Sequence, residues 1–459
     1  MSKENKLSTH SCNFYIGKIE RRQGTPIVTM TNSPPQYGVF FDGTGNNLYN
    51  DSSSFLDAKE PTNIAKLYLL YNYTPGRNMH RYVSSHYEPG IGTTSGKADS
   101  QIDMGIAHTF DNHLNNALIK TKEFFKNHFR SPIGIVDVFG FSRGAALARA
   151  FVNEIHKINS TKPNYWGLSN LQIRFVGLFD TVASILTPGD NFNFRYNLNL
   201  HPSAAHRVFH ITAYHEEREY FPLTSILNSK NQSPANHFEE IVLPGAHSDI
   251  GGGYGTGEET IYYPLEGNGQ RHPSSIDEKE HIKTQIKRKI EHKYWRPGIN
   301  ISVDEKQIAL LNTYRTQYVP KWVRFVKPQL AHVSLNLMHQ KAKEAGVPMS
   351  NIELLLRTES FKNRDASSVF EIPTEIANNL EKIKKIPYDP QFYKSFTHES
   401  LLINELYKKY IHHSAKYAAP PDGAINPDKP ESKPEKTAAN GIREIFYNDP
   451  RKGFYAGTK

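Results

Sequence analysis

Short apolar runs, each closed by glycine or an acidic residue, alternate along this chain with longer stretches whose apolar residues recur every third or fourth position. The first pattern predicts strands buried on both faces, the second amphipathic helices packed over them. Tyr37–Phe41 (YGVFF), Ile133–Phe139, Ile173–Phe179 (IRFVGLF), His206–Tyr214 (HRVFHITAY) and Glu239–Leu243 (EEIVL) read as strands. Pro61–Tyr71 sets Ile64, Leu67, Tyr68 and Tyr71 on one helical face, and Asp103–Phe129 does the same with Ile106, Phe110, Leu114, Leu118 and Phe125. Strands and helices that alternate in this way predict a mostly parallel sheet flanked by helices.

The later half reads differently. Glu278–Tyr294 predicts a solvated helix with Ile282, Ile286 and Ile290 on one stripe, and Ala331–Ala345 and Phe396–Ile411 read as helices. Ile308–Phe325 is mixed and aromatic, and His86–Gly96 (HYEPGIGTTSG) reads as loop. That loop nearly matches a dinucleotide-binding fingerprint, but its spacing is wrong and no strand is predicted before it. Pro420–Glu435, rich in Pro, Lys, Asp and Ser, predicts a flexible linker. Gly441–Phe454 (GIREIFYNDPRKGF) is apolar enough to dock back on the body.

The densest chemical signal lies where the strand ending at Phe139 meets Gly140-Phe141-Ser142-Arg143-Gly144 and a helix begins at once. This is a G-x-S-x-G turn, in which a sharp strand-to-helix corner exposes one hydroxyl above a parallel sheet. The helix amides behind it favour developing negative charge. The pentapeptide alone is common; the apolar strand before it and the helix after it, with Ala145, Ala146, Ala148 and Ala150 beside Leu147, Phe151 and Ile155, give it weight. Ser142 is the candidate nucleophile.

Two further strand ends supply partners. Asp180 ends the strand Ile173–Phe179 and suits the acid that orients an imidazole. His247 follows the strand Glu239–Leu243 in GAHSDIGGGY, a glycine-rich loop able to approach another loop closely. The order Ser142, Asp180, His247 is that of α/β-hydrolases. His412 and His413 are the rival histidines, because the hydrolase base often lies late in the chain. The strand Tyr37–Phe41 runs into Asp42-Gly43-Thr44-Gly45, where such sheets bind ligands. A phosphatase with an aspartyl nucleophile would need an Asp two residues before Asp42, and Phe40 stands there.

Composition narrows the partners. The 459 residues carry a formal net charge of +9 with His neutral, which favours an anionic partner. The basic residues are dispersed, so nucleic acid ranks below a lipid surface or an acidic protein. The single cysteine, Cys12, excludes an intrachain disulfide framework and a cysteine-based zinc site. The first residues lack the apolar core of a secretory signal, and no apolar run approaches a membrane span. The expectation is a soluble chain made in the cytoplasm and exported, if at all, by another device.

Taken together, FFDGTGNN, GFSRGAA, LFDTV and GAHSDIGGGY resemble a known family: the bacterial type VI secretion phospholipase effectors of the first lipase class, within a wider α/β-hydrolase family. YEPGIGT, EEREYF, the helix at Ala331 and YIHHSA extend the likeness more weakly, and His215 stands where the family usually has an acidic residue. The resemblance implies an esterase that cleaves acyl esters of glycerophospholipids. It also implies delivery into the target-cell periplasm through a contractile needle, a spike-protein carrier and a cognate immunity protein. By motif match Ser142 is the nucleophile, Asp180 the acid and His247 the base. The Arg143 backbone N–H and one from Gly43 or Thr44 would hold the oxyanion, with Asp42 and Asp249 shaping the loops. No cofactor or metal is required.

The expected organisation is a lead-in at 1–35, an α/β-hydrolase catalytic core at 36–270, and a helical, membrane-contacting region at 271–417. A linker at 418–440 and a docking segment at 441–459 complete it. A soluble carboxylesterase, or an inactive hydrolase-fold module that binds membranes or an acidic protein, is the alternative.

Overall fold

The computed structural model describes residues 34–52, 60–71, 73, 82–93, 106–127, 131–183, 196–216, 218, 221–262, 270–271, 276–293, 300–310, 313–385, 401–414 and 443–449. The N-terminal lead-in, apart from residues 34–35, and the predicted linker lie outside them. In chain order the first elements are β1 (Gln36–Phe41), α1 (Leu48–Asp51), α2 (Asn63–Leu70), β2 (Val83–Glu88), α3 (Ile106–Lys126), β3 (Ile133–Phe141) and α4 (Arg143–Thr161). There follow β4 (Asn170–Phe179), β5 (Arg207–Ala213), β6 (Leu223–Thr224), β7 (Phe238–Leu243), α5 (His247–Gly251), β8 (Gly257–Tyr262), β9 (Gln270–Arg271) and α6 (Ile276–Lys293). Then come β10 (Ile301–Leu310), β11 (Thr313–Val326), α7 (Leu330–Glu344), α8 (Ala366–Val369), α9 (Thr374–Ala377), α10 (Leu380–Ile383), α11 (Leu401–Lys409) and β12 (Ile445–Phe446).

The centre is a wholly parallel six-stranded sheet in the order β2-β1-β3-β4-β5-β7. Successive strand residues point to opposite faces, so the inner strands feed two cores. On one side Phe40, Phe139, Phe175 and Phe209 pack with Ile64 and Leu67 of α2 and Val333 and Met338 of α7. On the other, Val39, Phe41, Val138 and Val176 meet Phe110 and Leu114 of α3 and Leu147, Phe151 and Ile155 of α4. This is an α/β-hydrolase-like architecture, and every strand read from the apolar runs belongs to its sheet.

Three local readings are corrected. His86–Glu88 is not loop but the end of β2, an edge strand (VSSHYE) too polar to stand out as an apolar run. A strand therefore does precede Pro89–Gly92. The region expected to be helical contains an antiparallel sheet, β10-β11-β8 with β9 added on β11. Its alternation is disguised, because Arg324 sits buried between Trp322 and Val326 while Val323 and Phe325 face outward. Finally, His247 opens the short helix α5 and does not lie in an open loop.

Arg324 also explains how the late chain reaches the sheet. Its guanidinium donates to the Tyr407 and Ile411 carbonyls at 2.5 and 2.6 Å and to Glu259 at 2.8 Å, so β11 caps the end of α11. Among the described residues no helix is long and apolar enough to cross a membrane.

The elbow between β3 and α4 depends on close backbone approach. A Cβ on Gly144 would lie 2.3 Å from the carbonyl oxygens of both Phe41 and Asp42, and one on Gly140 would lie 2.5 Å from the Gly144 carbonyl oxygen. Gly144→Ala should therefore cost about 2 kcal/mol or more in urea unfolding. A variant as stable as the wild type would mean that α4 is not seated on β1 in this way.

Candidate active site

Ser142 sits at φ 58° and ψ −126°, between the last residue of β3 and the first of α4. A side chain other than glycine adopts such a φ only where its surroundings enforce it. Here the Ser142 N–H donates to the Phe179 carbonyl at 3.0 Å, and Val182 N–H donates to the Ser142 carbonyl at 3.3 Å. The elbow is thus stitched to the end of β4, where Asp180 lies. Asp180 is itself at φ 39°, with its N–H on the Ile211 carbonyl at 2.8 Å.

The His247 Nδ1–H donates to Asp180 Oδ2 at 2.5 Å. This contact fixes the tautomer and leaves Nε2 as the basic nitrogen. The ring is held between Phe141, 4.6 Å away, and Phe221, 5.1 Å away. Phe141 immediately precedes Ser142, so the imidazole lies beside the elbow. Ser142 and His247 are both buried. Among the described residues no hydrogen bond joins the serine hydroxyl to the imidazole, a contact that in free hydrolases is often long and tightens with substrate bound.

Asp180 is completely buried. Burial would push its carboxyl up, but Arg443 and His247 beside it hold it well below the usual carboxylate range. Burial lowers the His247 imidazole below its ordinary value, although Asp180 pulls the other way. A neutral imidazole at neutral pH is what a proton acceptor requires.

The rival histidines have other partners. His412 donates through Nδ1 to Asp249 Oδ1 at 2.6 Å and through its backbone N–H to Oδ2 at 2.9 Å, and its ring stacks on Tyr254 at 4.2 Å. Asp249 also accepts from Ala246 N–H at 2.9 Å, so it ties the turn that carries His247 to the segment after α11. The His413 N–H donates to Glu259 at 2.8 Å. Ser414 donates to Glu216, whose other oxygen accepts the His247 N–H at 3.2 Å. Ser414 of YIHHSA and Glu216 of EEREYF thus meet at the first backbone amide of α5. His215, at the family's acidic position, accepts the Gly245 N–H at 2.9 Å, while Glu216 pairs with Arg218 at 2.9 Å.

Asp42 shapes its loop by accepting from Gly43 N–H (2.7 Å), Thr62 Oγ1 (2.8 Å) and Tyr87 Oη (2.6 Å). Burial nevertheless raises its carboxyl to about 6 against those three donors. The Gly43 amide is therefore occupied. Among the described residues Thr44 makes no hydrogen bond through its backbone N–H, and its buried hydroxyl has no partner either. Gly90 closes the loop from the far side, donating to the Asn46 carbonyl at 2.8 Å. No group of three or more His, Cys, Asp or Glu among the described residues could hold a metal ion.

The family model described as "T6SS, Phospholipase effector Tle1-like, catalytic domain" matches residues 37–165 and 158–268, about half of the chain and all of the geometry above except the late segments. The chain belongs to this Tle1-like family. Its catalytic domain is that of a type VI phospholipase effector, a lipolytic hydrolase. Among solved structures, a Tle1 effector bound to the VgrG spike of the type 6 secretion system aligns with a TM-score of 0.54 at 23% identity, over 90% of this chain and 94% of that one. At that identity the likeness speaks for the fold. An uncharacterized protein from Pseudomonas aeruginosa aligns with a TM-score of 0.49 at 19% identity, over 81% of this chain and 55% of that one. No curated protein matches the chain.

Glu216 yields a test. Burial would raise it, but the Arg218 guanidinium and its neighbours hold the carboxyl at about 2, below an unfolded value of about 4.3. Its stabilisation is therefore complete above the unfolded value and is lost as pH falls through the folded one. Glu216→Gln should cost about 3 kcal/mol at pH 7, the free energy that a carboxyl held at about 2 against about 4.3 represents. The gap between wild type and variant, followed by denaturant unfolding, should close as pH falls from about 4.3 towards about 2. A gap that does not change with pH would refute an ionised Glu216.

Proposed function

We propose that the chain is a serine esterase of the phospholipase A type, acting through Ser142, Asp180 and His247. The observation that carries this reading is the Asp180–His247 hydrogen bond at 2.5 Å, set beside a serine held at positive φ on a strand-to-helix corner. In the proposed reaction His247 Nε2 takes the Ser142 proton as the oxygen attacks the ester carbonyl. The tetrahedral oxyanion rests on the Arg143 and Thr44 amides, with the Thr44 hydroxyl within the same loop. Protonated His247 then gives its proton to the departing lysophospholipid. A water, deprotonated by the same imidazole, releases the fatty acid from Ser142.

The net charge of +9 suits an anionic leaflet, near which each Lys or Arg contributes about 1 kcal/mol to binding. By analogy with the spike-bound relative, the proposed carrier is a VgrG-type spike, with the target-cell periplasm as destination and an immunity protein guarding the producer. Residues 271–417 remain the proposed membrane-contacting part.

Ser142→Ala should lower turnover by about four to six orders of magnitude and abolish labelling by a fluorophosphonate probe. Lysophospholipid and free fatty acid should appear when the wild type meets phosphatidylglycerol-containing vesicles. Full activity in the Ser142→Ala protein would end the serine mechanism. Cleavage confined to dissolved short-chain esters would favour a soluble carboxylesterase.

A further inference from the structure

Asp180 has a partner that a hydrolase triad does not require. Arg443 lies 263 residues further along the chain and is buried. Its guanidinium grips the carboxylate with both prongs, at 2.7 Å to Oδ1 and 2.9 Å to Oδ2. Oδ1 also accepts from Ala213 N–H at 2.9 Å, and Oδ2 from His247. Both oxygens therefore carry two donors, and the carboxylate plane cannot turn. The same guanidinium donates through Nε to the Phe221 carbonyl at 2.7 Å, and the Phe221 ring is one wall of the imidazole.

The segment that delivers Arg443 is anchored on both sides. β12 pairs in parallel with β6, Leu223 N–H donating to the Glu444 carbonyl at 2.8 Å and Ser225 N–H to the Phe446 carbonyl at 2.9 Å. Further on, the Asn448 side chain accepts from Leu200 N–H at 2.7 Å and donates to the Leu200 carbonyl at 3.0 Å. Arg149, on the elbow helix α4, reaches the Thr224 carbonyl at 2.8 Å and Asn448 Oδ1 at 3.5 Å. This strap therefore touches both the helix behind the serine and the acid behind the histidine.

We infer that Arg443 is a positioning residue of the esterase, a clamp on Asp180 that sets the orientation and the charge balance of His247. The inference rests on the proposed triad. The ionisable groups facing His247 are Asp180 from the end of β4, Glu216 and Arg218 after β5, Arg443 from the strap, and the Asp249–His412 pair on its own helix and the segment after α11. Asp180 and Glu216 are balanced by Arg218 and Arg443. A neutral donor could hold Asp180 in place; only a cation offsets the second buried carboxylate. Removing that cation leaves a surplus negative charge around the ring, which favours the imidazolium and makes the base available only at higher pH. A purely architectural strap would not move that titration.

The test uses the full chain and p-nitrophenyl butyrate, with kcat and KM measured as functions of pH below each variant's unfolding temperature. Arg443→Gln should lower kcat about 10- to 100-fold with KM nearly unchanged, and move the acid limb of kcat/KM up by about one pH unit. Arg443→Lys restores the charge without the two-pronged grip; it should return the limb to its wild-type position while kcat stays reduced. If Arg443→Gln does not fold, the Lys variant alone decides, since wild-type kcat there would overturn the clamp. An unmoved acid limb in Arg443→Gln, whatever its kcat, would also overturn it. Ser142→Ala measured alongside separates the two readings. If it is inactive while Arg443→Gln behaves as wild type, the triad stands and the clamp falls. If it is active, the triad itself is wrong.

Discussion

A carboxylate taken entirely out of water is the constraint to which the rest of this structure answers. An ion in that position costs several kcal/mol unless donors replace its hydration. Asp180 obtains them from three distant places: the last residue of β5, the first residue of α5, and the strap carrying Arg443. Each of those elements is in turn anchored, α5 by Asp249 to His412 and by its first amide to Glu216, the strap by β6 and Asn448. The parallel sheet provides the ledge, and the charge determines what must gather on it.

The ledge is also strained. Ser142 and Asp180 both lie at positive φ, each at a cost of about 1–3 kcal/mol. They are held there by reciprocal contacts between the elbow and the end of β4, on a sheet whose two cores are closed by aromatic side chains. The glycines around Ser142 do not lend mobility. They permit α4 to sit against β1 at a distance no larger residue allows, which makes the serine's place at the corner a matter of packing.

Much of this could be read from the order of residues, and the reasons for success and failure are local. The central strands were legible because both their faces are buried, so YGVFF and IRFVGLF carry no polar interruption long enough to hide them. β2 was not, since an edge strand with only Tyr87 and Glu88 well buried has no apolar run to display. β11 escaped because one of its inward positions is Arg324, whose charge is satisfied by Glu259 and by carbonyls in and just after α11 that no nearby sequence announces. Ser142, Asp180 and His247 were singled out as candidates through their strand ends. The choice between the Gly43 and Thr44 amides could not be made, because it turns on which one the Asp42 side chain occupies. Arg443 had the faintest signal, a lone cation in the short apolar stretch GIREIF. Its partner is set by topology and not by spacing.

That separation along the polypeptide has a consequence for how the molecule comes into being. Translation produces Ser142, Asp180 and His247 well before Arg443, so a ribosome-bound chain holds the proposed nucleophile, acid and base while the counter-ion of Asp180 has yet to be made. Until it arrives, Asp180 has the Ala213 and His247 donors without the cation that grips both of its oxygens. On the proposed reading the enzyme reaches its full rate only with that late step, so a nascent chain beside the cell's own membranes is slower than the finished protein.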